Sequence, residues 1–366
     1  MPHPLSQVAL VVVGFGLVAG LPTPVSAQTE REVTIESERG VHLAGTLVTP
    51  DGPGPYPSAI LVSGSGPQDR DESVAGMKPF RLLARLLLAE GIATLRMDDP
   101  GVGGSTGEWV TSTMSDLEVD LRSALDFLRG EPDIEASAIG LIGHSEGGVV
   151  AMSVAAHDPE VAFLVLLASP VAPVADVLMA QTESVLRVTG ASDEEIARHH
   201  EIQTETFRAI RTGRGWERVN DLTEAVTRDA ITALPADRQA MLGDLDAVIA
   251  AQVEQQIQLA QAPWFRSLAL IDPRESLRAV RAPVLALFGE NDLQVPSRLN
   301  REAAEATLSG AGHPDFEIVV IPGANHLFQD GGTGDPAEYA QLSPRFKPDL
   351  SERLTLWLRA RIGGDR

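Results

Sequence analysis

Short apolar segments and amphipathic helical segments alternate along most of this chain. Apolar runs such as "YPSAILVSGSG" and "SAIGLIGHS" are followed by helical patterns such as "FRLLARLLLAEG", which Gly91 is expected to end. Parallel strands need long crossover connections, usually helices, and a sheet covered on both faces has strands that are apolar throughout. The sequence therefore predicts an α/β fold with a mainly parallel sheet and helices on both faces.

Two segments depart from this alternation. "REVTIESERGVHLAGTLVTP" alternates apolar and polar residues around Arg39-Gly40, which predicts an antiparallel pair at about residues 31–49, at one edge of the sheet. Residues 171–278 show helical periodicity and no convincing strand, as in "SDEEIARHHEIQTETFRAI", and strand patterns resume only at "APVLALFGENDLQVP". We expect a first core segment over 28–170, an inserted helical cap over 171–278, and a second core segment over 279–366.

The first 27 residues have the pattern of an export signal. They contain no Asp, Glu, Lys or Arg, and an apolar run from Val8 to Leu21 precedes Val25-Ser26-Ala27, a small-residue cleavage pattern. We interpret residues 1–27 as a secretory signal peptide, which predicts a periplasmic or secreted protein. The alternative is an uncleaved membrane anchor, although the apolar run is short for a spanning helix.

Composition excludes several kinds of chemistry and partner. The chain has no cysteine, so disulfides, thiolate metal sites and a cysteine nucleophile are excluded. Its net charge of −22 argues against nucleic acid and anionic membranes as partners, and no stable membrane association is expected after signal cleavage. No His, Asp and Glu cluster has the spacing of metal ligands, so no metal site is predicted.

The motif "LIGHSEGGVV" places Ser145 in the spacing Gly-x-Ser-x-Gly, between a predicted strand and a predicted helix. Glycines on both sides relieve crowding where a strand turns sharply into a helix and exposes the serine hydroxyl above the strand ends. This context favours a nucleophile over a serine in a structural turn. The neighbouring His144 is expected to point under the turn as a buried, hydrogen-bonded residue.

A serine nucleophile needs a general base and an acid that orients that base. In an open α/β sheet such groups lie at the carboxyl ends of the strands. Asp292 follows the strand in "LALFGENDLQVP", and His326 follows the next strand, in "IVVIPGANHLF". The order Ser145, Asp292, His326 is that of an α/β-hydrolase triad, and Glu290 is near enough to replace Asp292 if the loop is shorter than expected.

The nucleophile also needs hydrogen-bond donors for the oxyanion that forms during acyl transfer. The backbone N–H of Glu146, at the start of a helix, is one candidate, and its side chain is expected to face solvent or a local partner. The second donor is expected in the loop "SGSGPQDRDE", where the N–H of Ser65 lies between two glycines.

Charged residues near this loop have two interpretations. Asp69, Arg70 and Asp71 are expected to form an ion-paired cluster that braces the loop, with substrate contact as the alternative. Asp98 and Asp99, in "DDPGVGGSTG", are interpreted as part of a glycine-rich turn that supports the site, because no Gly-Lys-Ser/Thr follows to bind a phosphate.

The motifs "GSGPQDRDE", "DDPGVGGSTG", "GHSEGG", "FGENDLQVP" and "PGANHLF" together resemble those of bacterial lidded α/β-hydrolases, described as carboxylesterases or as dipeptidyl-aminopeptidase-like hydrolases. The resemblance spans nearly all of the chain after residue 27. It implies an eight-stranded sheet, a helical lid, no cofactor and hydrolysis through a covalent acyl-enzyme. It also implies the roles of Ser145, Asp292 and His326 as triad and of Glu146 and Ser65 as oxyanion donors.

These observations predict a serine hydrolase that cleaves small-molecule carboxylic esters, with short to medium acyl chains. Trp264 and Phe265, in the cap segment "APWFRSLAL", could line an acyl pocket or belong to the core of the cap. The alternative function is a peptidase or aminopeptidase-like hydrolase of short peptides or aminoacyl amides, since a triad cleaves either bond. An acidic group in the cap that captures a substrate amine would favour this alternative.

Overall fold

The computed structural model describes residues 29–362, and the predicted signal peptide at 1–27 lies outside the described residues. Eight strands form one sheet. They are Thr29–Glu36 (β1), His42–Thr49 (β2), Tyr56–Val62 (β3), Ala93–Met97 (β4), Ile134–His144 (β5), Leu164–Leu167 (β6), Val284–Gly289 (β7) and Phe316–Ile321 (β8).

The strands lie in the order β1-β2-β4-β3-β5-β6-β7-β8. β1 pairs with β2 and β2 with β4 in antiparallel register, whereas the strands from β4 to β8 are parallel. The predicted α/β-hydrolase fold, a mainly parallel eight-stranded sheet with an antiparallel pair at its edge, is confirmed. Since β3, β5, β6, β7 and β8 run in one direction, the segments that follow them emerge at one edge of the sheet.

Twelve helices accompany the sheet within residues 29–362. They are Pro79–Ala89 (α1), Met114–Arg129 (α2), Glu146–His157 (α3), Val174–Val188 (α4), Asp193–Thr212 (α5), Trp216–Thr232 (α6), Ala236–Leu242 (α7), Leu245–Gln261 (α8), Pro263–Leu268 (α9), Pro273–Ala279 (α10), Ser297–Gly310 (α11) and Pro348–Ile362 (α12). Short 3-10 turns cover Trp109–Thr111 and Pro336–Gln341.

The two faces of the sheet bury separate sets of side chains, because successive residues of a strand point to opposite faces. In β6, Leu164 and Leu166 belong to one hydrophobic cluster, with side chains of α2, α3 and α11, while Val165 and Leu167 belong to another, with side chains of α1 and α12. Both faces are therefore covered by helices, as the continuous apolar runs predict.

Seven helices, α4 to α10, lie between β6 and β7, in the segment where the sequence predicts an inserted cap. No strand occurs in this part of the described chain. The last of the seven, α10, packs against α3 and α11, so it belongs to the helical layer that covers the sheet. The helices from α4 to α9 are the remaining candidates for a cap, a role that stays a prediction.

Local sequence explains several of the element boundaries. Thr113 caps α2 through a reciprocal pair of hydrogen bonds with Asp116, and Pro79 occupies the first turn of α1, where its missing N–H costs nothing. Gly91, two residues after α1 ends, has a φ of 76°, in the left-handed region that favours glycine. Across residues 29–362, every helix is too short or too polar to cross a membrane.

Candidate active site

Ser145 occupies the sharp turn between β5 and α3. Its φ of 51° and ψ of −123° lie in a region that costs a non-glycine residue free energy, and the N–H of Ser145 donates to the carbonyl of Leu167 at 2.9 Å. A Cβ at Gly147 would lie 2.1 Å from the carbonyl oxygen of Val62, and one at Gly143 would lie 2.5 Å from the backbone of Gly148. The flanking glycines are therefore required by close backbone approach, which is what the motif predicts.

Asp292 and His326 lie in the loops after β7 and β8, and both side chains are buried. His326 Nδ1 is 2.8 Å from Asp292 Oδ2, while Asp292 Oδ1 accepts hydrogen bonds from the N–H groups of Gln294 and Val295, each at 2.8 Å. The carboxylate is thus held by three donors. With the proton of the imidazole on Nδ1, the lone pair of Nε2 is available to accept another proton.

The structure does not join all three predicted triad residues by hydrogen bonds. Within residues 29–362, the Ser145 hydroxyl forms no hydrogen bond, and neither does Nε2 of His326. The two residues nevertheless belong to one site, because His144, next to the serine, contacts the backbone carbonyl of His326 at 3.1 Å. Contacts between a nucleophile and its base are often long without a substrate and tighten in the reacting complex.

The two predicted oxyanion donors are not engaged by other protein groups. Among the described residues, neither the N–H of Ser65 nor that of Glu146 donates a hydrogen bond. The loop that carries Ser65 lies against the nucleophile, since a Cβ at Gly64 would be 3.2 Å from Cβ of Ser145. The N–H of Gly64 itself is not free, because it donates to Glu72 Oε1 at 2.8 Å.

Glu72 and His144 form a second carboxylate–histidine pair beneath the site. Glu72 Oε1 is 2.8 Å from His144 Nδ1, and Glu72 has a φ of 52°, which is rare outside glycine. His144 is buried and uses both ring nitrogens, as the sequence predicts for this position. The sequence assigned Glu72 no role, because nothing near it along the chain indicates that its partner lies 72 residues away.

The side chain of Glu146 is more deeply placed than expected. It is only 3% exposed, and it accepts hydrogen bonds from Ser65 Oγ at 2.6 Å and from Trp264 Nε1 at 2.8 and 3.0 Å. The expectation of a solvent-facing side chain is therefore wrong. Of the two hydrogen-bond partners of Glu146, only Ser65 belongs to the neighbouring loop. Burial raises the pKa of Glu146 to about 7, although the bonds from Ser65 and Trp264 partly offset this effect.

Asp98 and Asp99 are neighbours in sequence, but the pKa values of their carboxyl groups shift in opposite directions. Burial opposes the ionisation of Asp98, but hydrogen bonds from Arg70 and Gly104 outweigh it and lower its pKa. Asp99 has no cationic partner in the described part of the chain, and burial raises its pKa to about 8 despite bonds from the Ser63 hydroxyl and a backbone N–H. A pKa of about 8 favours the protonated form of Asp99 near neutral pH, and the two hydrogen bonds tie its turn to the loop that carries Ser65.

Arg70 and Asp71, in the loop that carries Ser65, are ion-paired as expected, whereas Asp69 accepts hydrogen bonds from Ser73 and from the N–H of Asp71. Arg70 bonds to Asp98 at 2.7 Å and also contacts Glu32 on β1, while Asp71 contacts the buried Arg96 of β4 and Lys78. These pairs tie the loop to the antiparallel edge of the sheet, which supports the bracing interpretation over direct contact with substrate.

Glu290 does not take the place of Asp292. Its side chain is exposed, and its Oε2 accepts from the N–H of Gly323 at 2.8 Å, so it braces the loop before His326. No group of three or more His, Asp or Glu residues that could hold a metal ion occurs in the described part of the chain.

Trp264 and Phe265, on α9, both belong to the main hydrophobic core. The Trp264 ring packs on Trp109 with centroids 4.3 Å apart, and on Phe265 with centroids 5.8 Å apart. Neither residue lines the nearby cavity of about 50 Å³, whose walls include Leu61, Trp109, Val150, Asp99 and Glu146. A direct role for Trp264 or Phe265 in substrate binding stays a prediction.

Comparison with known proteins places the chain in a family. The profile of the family described as "Alpha/beta hydrolase family" matches residues 59–342, which contain all of the site residues discussed above. The chain belongs to this family.

Several relatives of this chain are named as hydrolases, among them an esterase and a thioesterase. The esterase EstD of Thermotoga maritima is 25% identical over 311 residues, which cover 85% of this chain and 63% of that protein. Acyl-coenzyme A thioesterase 1 of Rattus norvegicus is 27% identical over 150 residues, or 39% of this chain and 31% of its own length. The chain therefore spans less than two thirds of the length of these relatives.

Solved structures share the fold at low sequence identity. The esterase Pf2001 of Pyrococcus furiosus has a TM-score of 0.57 and 17% identity, with 94% of this chain and 96% of that chain covered. The esterase Est1E of Butyrivibrio proteoclasticus, solved with ferulic acid, has a TM-score of 0.51 and 16% identity, with 91% and 100% covered.

Proposed function

We propose that this protein is a serine carboxylic ester hydrolase that uses Ser145, His326 and Asp292 as its catalytic triad. The observation that carries this proposal is that Ser145 lies in a strained turn at the same edge of the sheet as the imidazole of His326. Nδ1 of this imidazole is fixed by Asp292, and its Nε2 has no hydrogen-bond partner within residues 29–362. The name of the Thermotoga maritima relative, an esterase, supports the same reaction class.

In the proposed reaction, His326 Nε2 accepts the hydroxyl proton of Ser145 as Oγ attacks the carbonyl carbon of the ester. Asp292 stabilises the imidazolium that forms. The tetrahedral intermediate then collapses, the C–O bond to the alcohol breaks, and His326 donates its proton to the departing alkoxide. Water attacks the resulting acyl-enzyme by the same route and releases the carboxylic acid with Ser145 restored.

The negative charge of each tetrahedral intermediate is proposed to lie against the N–H groups of Ser65 and Glu146. Both N–H groups lack a protein acceptor in the described structure, and the second lies at the N-terminus of α3, where the helix dipole favours an anion.

For substrate, we propose esters with short to medium acyl chains. The cavity bounded by the oxyanion loop and Glu146 measures about 50 Å³ and is lined mostly by apolar side chains. It exceeds the roughly 10–15 Å³ that a single water requires, and it offers space for a small apolar group beside the site. Since some relatives are named acyl-coenzyme A thioesterases, thioesters belong in the same test.

The test compares the purified wild type with Ser145→Ala on p-nitrophenyl esters of increasing acyl length, acyl thioesters and aminoacyl p-nitroanilides. We expect ester turnover in the wild type and a loss of kcat of at least about 10⁴-fold in the variant. Ser153→Ala, further along α3, is the matched control and should keep wild-type turnover. Equal ester turnover by Ser145→Ala and wild type would contradict the proposal.

The same panel decides between the ester hydrolase and the peptidase alternative. Efficient cleavage of aminoacyl p-nitroanilides, comparable to that of the esters and lost in Ser145→Ala, would assign the protein to the peptidase class. We expect weak anilide cleavage, because an amide bond is harder to hydrolyse than an ester bond.

We also propose export, with cleavage after Ala27. This rests on the sequence pattern of residues 1–27 alone. Expression of the full chain in a bacterial host, followed by mass measurement of the protein from the periplasm and the medium, should give a chain that begins at Gln28. A full-length chain retained in the membrane fraction would favour the anchor alternative.

A further inference from the structure

The Glu146 carboxylate is a buried group at this site whose side chain has no role in the proposed reaction. It is 3% exposed, and within residues 29–362 its hydrogen-bond partners are a hydroxyl and an indole N–H, with no cation. Burial of a carboxylate without a cationic partner costs free energy that hydrogen bonds only partly recover. An apolar side chain would fill this position at lower cost, so the carboxylate calls for a functional explanation.

The first partner, Ser65, is the residue whose N–H is the proposed second oxyanion donor. Ser65 is exposed and lies between Gly64 and Gly66, the latter with a φ of 100°, so its own backbone offers little rigidity. The bond of 2.6 Å from Ser65 Oγ to Glu146 Oε2 holds Ser65 against the residue that supplies the other donor. Glu146 therefore connects the two halves of the oxyanion hole through its side chain.

The second partner, Trp264, belongs to α9 in the helical segment inserted between β6 and β7. Its ring packs on Trp109, and its Nε1 donates to both carboxylate oxygens. A further bond ties α9 to the core, because the N–H of Met114 donates to Ser267 Oγ at 3.0 Å. The orientation of the carboxylate thus depends on the docked position of α9.

We propose that the Glu146 side chain is a positioning residue that couples the docking of α9, through Trp264, to the placement of the Ser65 N–H in the oxyanion hole. This inference rests on the proposed function. With α9 docked, the indole N–H holds the carboxylate in the orientation that accepts the Ser65 hydroxyl. When the indole N–H is lost, the carboxylate turns or takes up a proton, and Ser65 is no longer held.

The direction in which each hydrogen bond shifts the pKa of Glu146 supports this coupling. The bonds from Ser65 and Trp264 both lower a pKa that burial raises to about 7, so loss of either bond favours the protonated acid. The charges of Glu146 and Glu72 add to the effect of burial in raising the pKa of Asp99, and in the same region Asp98 is paired with Arg70.

The test uses Ser65→Ala, Trp264→Phe and their double variant, with kcat and KM measured on a short p-nitrophenyl ester. Ser65→Ala keeps the backbone N–H, and Trp264→Phe keeps an aromatic ring while it removes the N–H. We expect each single variant to lower kcat about 10-fold with KM changed less than about threefold, because a displaced oxyanion donor weakens binding of the transition state and not of the ester. The double variant should lose no more than about 10-fold, since both changes interrupt one connection.

Trp357→Phe is the matched control. Trp357 is also buried, and its Nε1 has no hydrogen-bond partner among the residues that the structure describes, so the removal of this N–H should leave kcat unchanged. Glu146→Gln, which keeps the size of the side chain but can accept at only one oxygen, should lower kcat to a similar degree as Ser65→Ala. Circular dichroism and thermal unfolding establish that each variant folds, and the exposed Ser65→Ala provides the test even if Trp264→Phe unfolds.

Three results would overturn the coupling: unchanged kcat in Ser65→Ala, losses confined to KM, or losses that multiply to about 100-fold in the double variant. Failure of the proposed function is a separate result. It would be seen in the wild type, as an absence of Ser145-dependent hydrolysis and of Ser145 labelling by a fluorophosphonate, before any of the coupling variants is measured.

Discussion

His326 and His144 each place Nδ1 2.8 Å from a carboxylate oxygen, of Asp292 and Glu72 respectively, and their ring centroids are 4.7 Å apart. The two pairs differ at the other ring nitrogen. Nε2 of His144 lies 3.1 Å from the carbonyl oxygen of His326, whereas Nε2 of His326 has no hydrogen-bond partner among residues 29–362. One imidazole can therefore accept a proton from a nucleophile, and the other is fully engaged.

The comparison shows that a carboxylate–histidine pair does not by itself identify a general base. His144 faces two acceptors, a carboxylate and a carbonyl, so both of its ring nitrogens are suited to carry protons. Burial opposes its positive charge, but the charge of Glu72 and the hydrogen bond to it prevail and raise the pKa of His144. His144 thus joins three segments of the site, which are the loop that carries Glu72, the end of β5 and the loop of His326.

The largest expected difference between the pairs is in the effect of removing each imidazole. We expect His326→Gln to lower kcat on a short ester by at least about 10⁴-fold, because the proton acceptor is lost. His144→Gln should cost less than about 100-fold, since only the packing and hydrogen bonding of the site change. Steady-state kinetics on folded protein test this, and equal losses would mean that the two histidines share the proton transfer.

Removal of the negative charge of Asp292 or of Glu72 should also affect the two pairs differently. Asp292→Asn is expected to lower kcat by about 10³–10⁴-fold, because an amide that donates to Nδ1 stabilises the wrong tautomer of His326. Glu72→Gln should lower kcat by about 10-fold or less, since Glu72 contacts Gly64 and His144 and not the ring of His326. A larger loss in Glu72→Gln than in Asp292→Asn would reverse the assignment of the catalytic acid.

The smallest effect concerns stability and its dependence on pH. Because the pKa of His144 is raised above its unfolded value of 6.5, its pairing with Glu72 stabilises the fold fully below pH 6.5 and loses effect as pH rises through the folded pKa. Glu72→Gln should therefore lower the free energy of unfolding by about 2 kcal/mol at pH 6, and by less at pH 9.

Urea unfolding at both pH values measures this difference. Glu290→Gln, an exposed carboxylate at the same edge of the sheet, is the matched control and should change stability little at either pH. A loss in Glu72→Gln that is independent of pH would show that His144 remains uncharged in the folded protein.

Local patterns in the sequence were sufficient to predict the fold and the positions of the main site residues. The alternation of apolar and helical segments predicts the parallel sheet, and the chain leaves each parallel strand at the same edge, so Asp292 and His326 were expected to approach each other there. The glycines around Ser145 predict its strained turn, because the backbone contacts that require them are made within a few residues and with adjacent strands. These features depend on periodicity and on short-range sterics, both of which a single sequence displays.

Only the tertiary structure decided which polar groups of the site pair with one another. Glu72 meets His144 across 72 residues, Trp264 meets Glu146 across 118, and neither pairing leaves a periodic or local signal in the chain. Asp98 and Asp99 are adjacent in sequence, yet Asp98 is paired with Arg70 while Asp99 has no cationic partner among residues 29–362. Hydrogen bonds and ion pairs between distant segments depend on the positions of the side chains after the sheet and helices have packed. The sequence therefore determined which polar groups were available, and the packed fold determined their partners.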